Sequence, residues 1–184
     1  MVKIMMVLIG IAAAVTAVLL SVRSAGAAAG QPPLVTVPHV DLQRYVGKWY
    51  EIARLDHSFQ RGCVGSNATY TLRPDGEVEV LNRCTNEQDG KQREAKGRAW
   101  SVDPVGNARL KVSFFWPFRG DYWIIELGEQ YDYSVVGAPN RKYLWVLART
   151  PQLDETVYRG IVERAGRQGF PVEQLVRRPL PPAP

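Results

Sequence analysis

Hydrophobic and polar residues alternate with a period of two over most of this chain, which predicts β-strands. The alternation begins at Gly47 and continues to Thr150, and turn-forming residues interrupt it repeatedly. Many short strands separated by turns are typical of an all-β barrel or sandwich. We therefore expect residues 47–150 to form one antiparallel β-domain.

A helical period appears after this domain. Asp154 precedes a segment whose apolar residues recur at helical spacing, and Gly169 ends this segment. The pattern predicts an amphipathic helix within residues 151–170 that packs outside the β-domain. Residues 30–46 predict an irregular arm with a short helical turn capped by Asp41. Residues 171–184 predict a tail that is Pro-rich at its end.

Residues 1–29 have the pattern of a secretory signal peptide. Lys3 is followed by an uncharged apolar run from Met5 to Val22, and small residues at 25–29 offer cleavage sites. The run also reaches the length of a membrane-spanning helix, so an uncleaved N-terminal anchor is the alternative. Both interpretations predict an exported protein.

The net charge argues against a nucleic-acid partner. Without Lys3 and Arg23, 21 of the 23 basic residues remain against 18 acidic ones. Nucleic-acid binding requires a concentrated basic face, and these charges are scattered.

Sequence motifs of metal binding or catalysis are absent. The two histidines, His39 and His57, stand in no cluster with metal-ligand spacing, and there is neither a phosphate-binding Gly loop nor a nucleophile elbow. His57 lies beside Asp56, but an exposed His–acid pair is more often solvated than catalytic because catalysis needs a third, orienting group. We expect no enzyme activity, no cofactor and no metal.

Cys63 and Cys84 predict a disulfide. Two cysteines in an exported chain favour a bridge. They flank a hairpin whose turn contains Asp75-Gly76, and they fall within one bulge of facing each other across it. The alternative, a reactive thiol, would need a nearby base or positive field, and Arg61 is the only such neighbour in sequence.

Three ordered motifs carry a resemblance to a known family. They are Gly47-x-Trp49 with its continuation Tyr-Glu-Ile-Ala-Arg, the segment 112–118 (Val-Ser-Phe-Phe-Trp-Pro-Phe), and the segment 143–151, which contains Arg149. Together they resemble the lipocalins, most closely bacterial lipocalins and their apolipoprotein-D-like relatives. The resemblance covers residues 38–179.

The resemblance implies an eight-stranded antiparallel up-and-down β-barrel with one C-terminal α-helix packed outside. In that family Trp49 would plug the closed end of the barrel and Arg149 would lie across its indole. The family also implies the ligand, a fatty acid or lysophospholipid whose acyl chain the barrel encloses. Many bacterial lipocalins carry a lipid-modified Cys after the signal, and no Cys follows the apolar run here. We therefore expect a periplasmic or outer-membrane-associated bacterial protein without that anchor.

Strand alternation predicts which side chains face the ligand. Small inward residues opposite large rings favour a cavity over a filled barrel. The predicted ligand-binding residues are Ser66, Ala68, Tyr70, Val80, Asn82, Ala99, Val112, Phe114, Trp123, Ile125 and Trp145. Tyr70, Asn82 and Arg119 are the candidates to hold a headgroup.

The segment Phe115-Trp116-Pro117-Phe118, here called the mouth patch, would expose several large apolar groups in a loop. Such a patch predicts an interface, either with a membrane surface or with a second copy in a homodimer. Packing as a lid over the barrel is the alternative. Two rival functions stay open at this point: a lipid-modifying enzyme, and a structural envelope protein whose barrel is filled.

Overall fold

The computed structural model describes residues 31–177, so the predicted signal peptide and the end of the tail lie outside the described residues. Eight strands form the barrel: β1 (Gly47–Leu55), β2 (Cys63–Leu72), β3 (Val78–Asn86), β4 (Gln92–Ser101), β5 (Arg109–Phe115), β6 (Phe118–Leu127), β7 (Tyr133–Gly137) and β8 (Leu144–Ala148). A ninth strand, β9 (Leu175–Val176), adds to the edge of β1. The helices are α1 (Leu42–Tyr45) and α2 (Glu155–Arg167).

Each strand from β2 to β7 pairs with the next along the chain, and each of these pairings is antiparallel. Strand β1 pairs with both β2 and β8, which closes the sheet into a barrel. The predicted up-and-down barrel with one helix outside is confirmed. Closure removes the free sheet edges that would otherwise invite aggregation.

The up-and-down topology gives the barrel two different ends. The loops 73–77, 102–108 and 128–132 meet with α1 at the closed end. The loops 56–62, 87–91, 116–117 and 138–143 meet at the other end, here called the mouth.

One apolar cluster lies inside the barrel and is here called the interior cluster. Its buried members are Val40, Tyr45, Trp49, Ala68, Tyr70, Val78, Val80, Ala99, Ala108, Leu110, Ile124, Val136 and Leu147. Val112, Phe114, Tyr122 and Trp145 pack against it while keeping part of their surface accessible. Even-numbered residues of β2 and β3 supply one wall, as the period of two requires.

A second apolar cluster, the outer cluster, lies between the barrel wall and α2. Its buried members are Leu34, Ile52, Ala53, Leu55, Ile125, Val135, Leu144, Val146, Ala148, Tyr158, Ile161, Ala165 and Phe170. The Asp154 carboxylate accepts hydrogen bonds from the backbone N–H groups of Thr156 and Val157, which fixes the start of α2. Gly169 follows the helix with φ +86°, a left-handed conformation that favours glycine.

The inward assignment of Trp123 and Ile125 is wrong. Both side chains belong to the outer cluster beneath α2, and Tyr122 and Ile124 occupy the inner face of β6 instead. Because α2 covers this strand, both of its faces are apolar, and alternation alone does not distinguish them. A bulge between Ile124 and Glu126 then changes which residues of the strand face inward.

Within the described residues no helix is long and apolar enough to cross a membrane.

Candidate functional site

The closed end of the barrel is held by Arg149. Its guanidinium carbon lies 3.8 Å from the centroid of the Trp49 ring, and Trp49 is 0% exposed. The guanidinium also donates hydrogen bonds to five backbone carbonyl oxygens, those of Arg44, Tyr45, Val46, Lys48 and Tyr131. It therefore ties α1, the start of β1 and the loop before β7 together under the indole. The Trp49 indole N–H donates to the Tyr45 carbonyl at 2.8 Å.

A chain of hydroxyl groups crosses the lumen above this plug. Tyr122 hydrogen-bonds Tyr45 and Tyr70, and Tyr45 hydrogen-bonds Ser134, each at 2.9 Å. Burial raises the pKa of Tyr45 to about 12, and burial also raises the pKa of Tyr70 and of Tyr122. These hydroxyls are therefore neutral at physiological pH. They give the floor of the lumen a polar but uncharged character.

Aromatic rings surround the mouth. The His57 ring stacks on Phe59 with centroids 3.7 Å apart, and its edge meets Trp145 at 5.3 Å. Tyr143 stacks on Trp145 at 6.0 Å. Burial, followed by the positive charge of Arg54, lowers the pKa of His57 to about 4. His57 is therefore neutral near pH 7, and the predicted solvated His57–Asp56 pair is replaced by a ring stack.

The inner wall carries a buried ion pair that alternation did not predict. Arg54 Nη1 lies 2.5 Å from Glu51 Oε1, and the two side chains are 0% and 6% exposed. A bulge between Glu51 and Ala53 changes the phase of β1, so both charged residues face the lumen although they are three apart. Alternation from Trp49 places Glu51 inward, and this signal was available in the sequence. The inward position of Arg54 depends on the bulge.

Gln60 connects this ion pair to the mouth. Its amide nitrogen donates to Glu51 Oε2 at 2.8 Å, and its amide oxygen accepts from the Trp145 indole N–H at 3.0 Å. The segment 57–60 is thereby fastened to the inner face of β1 and β8. Gln60 was not among the predicted site residues, because a loop polar residue carries no local signal of its partners.

Comparison with known proteins decides the family. Residues 40–180 match the family model of the lipocalin-like domain. The chain is 44% identical over 149 residues to the outer membrane lipoprotein Blc of Vibrio cholerae, a match that covers 80% of this chain and 87% of that protein. It is 42% identical over 147 residues to Blc of Escherichia coli K12, covering 79% and 83%. Bovine apolipoprotein D is 35% identical over 148 residues, covering 72% and 77%.

The chain belongs to the lipocalin family.

Solved structures agree at the level of the fold. Insecticyanin from the tobacco hornworm Manduca sexta superposes with a TM-score of 0.67 at 15% identity, covering 82% of this chain and 86% of that one. The predicted resemblance to bacterial lipocalins and apolipoprotein D is confirmed.

Nine of the predicted ligand-binding residues lie on the inner face of this lipocalin. They are Ser66, Ala68, Tyr70, Val80, Asn82, Ala99, Val112, Phe114 and Trp145. Trp123 and Ile125 do not join them, as described above. Ala95 is exposed, although it lies across from inward-facing Asn82. Along β4 the inward residues thus become more accessible towards the mouth, from Ala99 through Gly97 to Ala95.

The predicted disulfide of this lipocalin is confirmed. Cys63 and Cys84 are bonded with their Cα atoms 5.5 Å apart. In the ladder between β2 and β3, Cys63 lies opposite Asn86, so the bridge runs diagonally to a residue two positions away. The bulge between Val64 and Asn67 accounts for only one residue of the departure from the register at the turn. Among the described residues no cysteine is free, and none of the His, Cys, Asp and Glu side chains there form a group that could hold a metal ion.

The mouth patch is accessible. Phe115, Trp116 and Phe118 are 77%, 77% and 78% exposed, so the patch does not pack down over the barrel. A groove of about 650 Å³ runs along the outer face of β3 to β5, from Arg73 and Glu77 near the closed end to Trp116 and Arg119 at the mouth. Most of its other lining residues face outward (Glu79, Lys96, Arg98, Trp100 and Ser113), and Gly97 and Phe114 complete it.

Proposed function

We propose that this lipocalin binds a fatty acid or a lysophospholipid by enclosing the acyl chain in its barrel. The observation that carries the proposal is the change in side-chain exposure along the inner face of the barrel. Aromatic and aliphatic side chains line its inner face, buried at the closed end and partly accessible at the mouth. An apolar concave wall with a few polar groups is the usual composition of a ligand pocket. Transfer of an acyl chain from water gains about 0.8 kcal/mol per methylene, enough for micromolar binding.

The predicted lumenal residues, without Trp123 and Ile125, are the proposed acyl-chain contacts. Phe114 and Trp145 stand nearest the mouth and keep accessible surface. Ala99 lies deeper, buried between Val78 and Val112 of the neighbouring strands. A bulky side chain at Ala99 would therefore occupy the space proposed for the ligand.

We propose export to a bacterial envelope as the setting of this binding. The relatives named Blc are outer membrane lipoproteins of bacteria. The mouth patch is suited to contact with a membrane surface or with a second copy, because its three large side chains are exposed beside the mouth. Lipid transfer between the barrel and a membrane would follow from that position.

A lipid-modifying enzyme is the weaker proposal. It needs a reactive thiol or acid in the pocket, but Cys63 is bonded to Cys84. Glu51, the acid in the wall, is already engaged by Arg54 and Gln60. The arrangement therefore favours binding over catalysis.

Extraction of the purified mature protein with organic solvent, followed by mass spectrometry, tests the ligand class. Titration with oleate or a lysophospholipid then tests the location. Ala99→Trp and Ala95→Trp, both on the inner face of β4, should each reduce affinity at least about tenfold. Thr71→Trp, on the exposed outer face of β2, is the matched control and should bind as the wild type does. Undiminished binding by folded Ala99→Trp would place the lipid outside the barrel.

A further inference from the structure

The tip of the hairpin formed by β5 and β6 is separate from the strands on either side. The ladder between β4 and β5 stops at Ser113, and the ladder between β6 and β7 starts at Trp123. Among the described strands, residues 114–122 therefore pair only within the hairpin itself. Phe115 lies opposite Phe118 beside the turn. The tip is a two-stranded element of its own, and it carries the mouth patch.

The large aromatic side chains on the surface are gathered at the mouth. Among the described residues, the exposed Phe and Trp side chains are the three of the mouth patch and Phe59, which lies in the mouth loop 56–62 and is 58% exposed. A contiguous exposed apolar patch usually marks an interface. Trp and other aromatic side chains suit a membrane interface, because the ring enters the apolar region while a polar edge stays with the headgroups.

Two cations beside the patch are free of ion pairs. Lys96 and Arg119 are exposed and line the mouth end of the outer groove together with Trp116. Neither forms a salt bridge within the described part of the chain. The acids on strands β3, β4 and β6 are either held by another cation or lie nearer the closed end; they are Glu79, Glu94, Asp121 and Glu126. Cations next to an apolar patch favour an anionic lipid surface, where each strengthens binding about fivefold.

The described chain also starts at the mouth. The Arg141 guanidinium, in a mouth loop, donates to the Pro32 carbonyl. The arm then runs along the wall to the closed end, where the Val40 N–H donates to the Gly106 carbonyl. In the sequence, eight residues separate the apolar run Met5–Val22 from residue 31. The segment with the predicted signal peptide or anchor therefore joins the barrel at its mouth.

A bilayer suits the mouth patch better than a second copy does. In a two-fold dimer the same surface meets itself, so Lys96 and Arg119 of one copy would approach those of the other. Like charges brought together at an interface repel each other. An anionic bilayer offers the opposite charge to the same two residues and an apolar interior to the rings beside them.

We propose that this lipocalin docks on an anionic phospholipid bilayer through the mouth patch. The three exposed rings insert among the lipid headgroups, and Lys96 and Arg119 meet the lipid phosphate groups. The inference rests on the proposed function, since it selects one of the two partners suggested there for the mouth patch. Docked in this way, the barrel has its mouth on the membrane, and a lipid passes between bilayer and lumen without crossing bulk water.

Flotation of the purified mature protein with lipid vesicles tests the docking. One set of vesicles contains phosphatidylcholine alone, and the other contains equal parts of phosphatidylcholine and phosphatidylglycerol. The wild type should bind the mixed vesicles at least about tenfold more tightly than the neutral ones, because two cations contribute. Added salt should reduce this difference, since it screens exposed charges.

Variants of the mouth separate insertion from charge. The triple variant Phe115→Ser/Trp116→Ser/Phe118→Ser should weaken binding to both kinds of vesicle at least about tenfold, because it removes the apolar groups that leave water. If it does not fold, Trp116→Glu at the exposed turn takes its place and should also weaken both. Lys96→Gln/Arg119→Gln should weaken binding to the mixed vesicles at least about tenfold and leave binding to neutral vesicles unchanged.

The closed end supplies the matched controls. Val102→Ser/Val105→Ser removes two apolar side chains that are 50% and 85% exposed there. Lys48→Gln/Arg109→Gln removes the same net charge as the mouth variant, from two exposed residues of the closed end. Both controls should bind both kinds of vesicle as the wild type does, because screening limits the reach of a surface charge.

Three outcomes contradict the docking or separate it from lipid binding in the barrel. Equal binding of the wild type to both kinds of vesicle, or undiminished binding by the folded triple variant, would overturn the inference. A dimer in analytical ultracentrifugation that the triple variant abolishes, with no vesicle binding, would assign the patch to a second copy and overturn it too. The triple variant should still bind oleate as the wild type does, since the inner face is unchanged. A wild type that binds vesicles but neither oleate nor a lysophospholipid would contradict the proposed function and leave the docking in place.

Discussion

Single residues determine the closed end of the barrel. Arg149 covers the Trp49 indole and donates to carbonyls of the stretch 44–48 and of Tyr131, so one side chain joins parts of the chain that lie up to 105 residues apart. Arginine suits this position because its planar fork stacks on a ring and donates in several directions at once. Gly47, with φ +96°, lets the chain pass the guanidinium, since an added Cβ would lie 3.3 Å from Arg149 Nη1.

Trp49→Ala should lower the free energy of unfolding by about 3–5 kcal/mol, because truncation of a large buried ring leaves a cavity. Arg149→Lys should lower it by a smaller amount, since lysine retains the charge but loses the stack and most of the carbonyl contacts. Urea unfolding monitored by circular dichroism measures both. Midpoints equal to the wild type for the two variants would refute the role of this pair as a plug.

The His57 ring should make stability depend on pH. Its pKa falls from 6.5 to about 4 on folding, because the ring is buried and lies near Arg54. The unfolded chain therefore binds a proton between these values that the folded chain does not, and acidification through this range favours unfolding. Above pH 6.5 both states are neutral and the effect vanishes.

The variant His57→Phe keeps a ring on Phe59 and removes the titration. Its free energy of unfolding should fall less steeply than that of the wild type between pH 6.5 and about 4. Between pH 7 and 8 the difference between the two proteins should be constant, which serves as the internal control. Parallel curves over the acidic range would show that His57 does not contribute.

At the scale of elements, the two faces of one strand pack into different apolar clusters. Strand β6 places Ile124 inside the barrel and Ile125 beneath α2. On β8, Trp145 lies inside while Val146 lies outside. Neighbouring residues therefore pack into different clusters, and we expect substitutions on the inner face to affect ligand binding and those on the outer face to affect stability.

Ligand binding should change the fluorescence of Trp145 and not that of Trp123. Trp145 lines the mouth, whereas Trp123 belongs to the outer cluster and lies under the Arg109 guanidinium, 5.0 Å from its ring. Trp145→Phe should therefore abolish most of the change in emission that lipid produces, and Trp123→Phe should preserve it. A loss of the signal in Trp123→Phe with an intact signal in Trp145→Phe would mean that lipid binds on the outer wall.

At the scale of the whole molecule, closure of the barrel and the outer helix stabilise one continuous wall around the interior cluster. Strand β1 is central to both, because it pairs with β2, β8 and β9 and presents residues to both clusters. The disulfide adds a covalent link between β2 and β3 near the mouth.

Reduction of the disulfide should destabilise the whole barrel. The bridge spans 21 residues, and a loop of that size contributes on the order of 3 kcal/mol by restricting the unfolded chain. Cys63→Ala/Cys84→Ala should show a lower urea midpoint and unchanged lipid affinity, since neither cysteine is a proposed contact. Non-reducing peptide mapping of the exported protein should find one intramolecular bridge. Two free thiols there would contradict the assignment.

From the sequence alone, alternation and helical spacing predicted a β-barrel or sandwich with an outer helix, and the resemblance to lipocalins supplied the eight-stranded barrel and the plug pair. Alternation, helical spacing and turn residues are local properties of the chain, and each can be recognised without knowing which residues pack against it in the fold. The turn at Asp75-Gly76 brings the two cysteines onto neighbouring strands, and a pair of cysteines in a chain predicted to be exported favours a bridge. The ladder itself places Cys63 opposite Asn86, so the diagonal geometry of the bridge was not predicted. Most inward residues of β2 to β5 follow from the same alternation.

Only the tertiary structure decided the polar wall and the face of β6. A bulge adds one residue to a strand and reverses its phase, so Arg54 turns inward for a reason that alternation does not contain. Because α2 covers β6, the outer face of this strand is as apolar as the inner face. The pattern of apolar and polar residues therefore does not show which face Trp123 occupies. The contacts of Gln60 with Glu51 and Trp145 arise because closure of the barrel brings β1, β8 and the loop at 57–60 together.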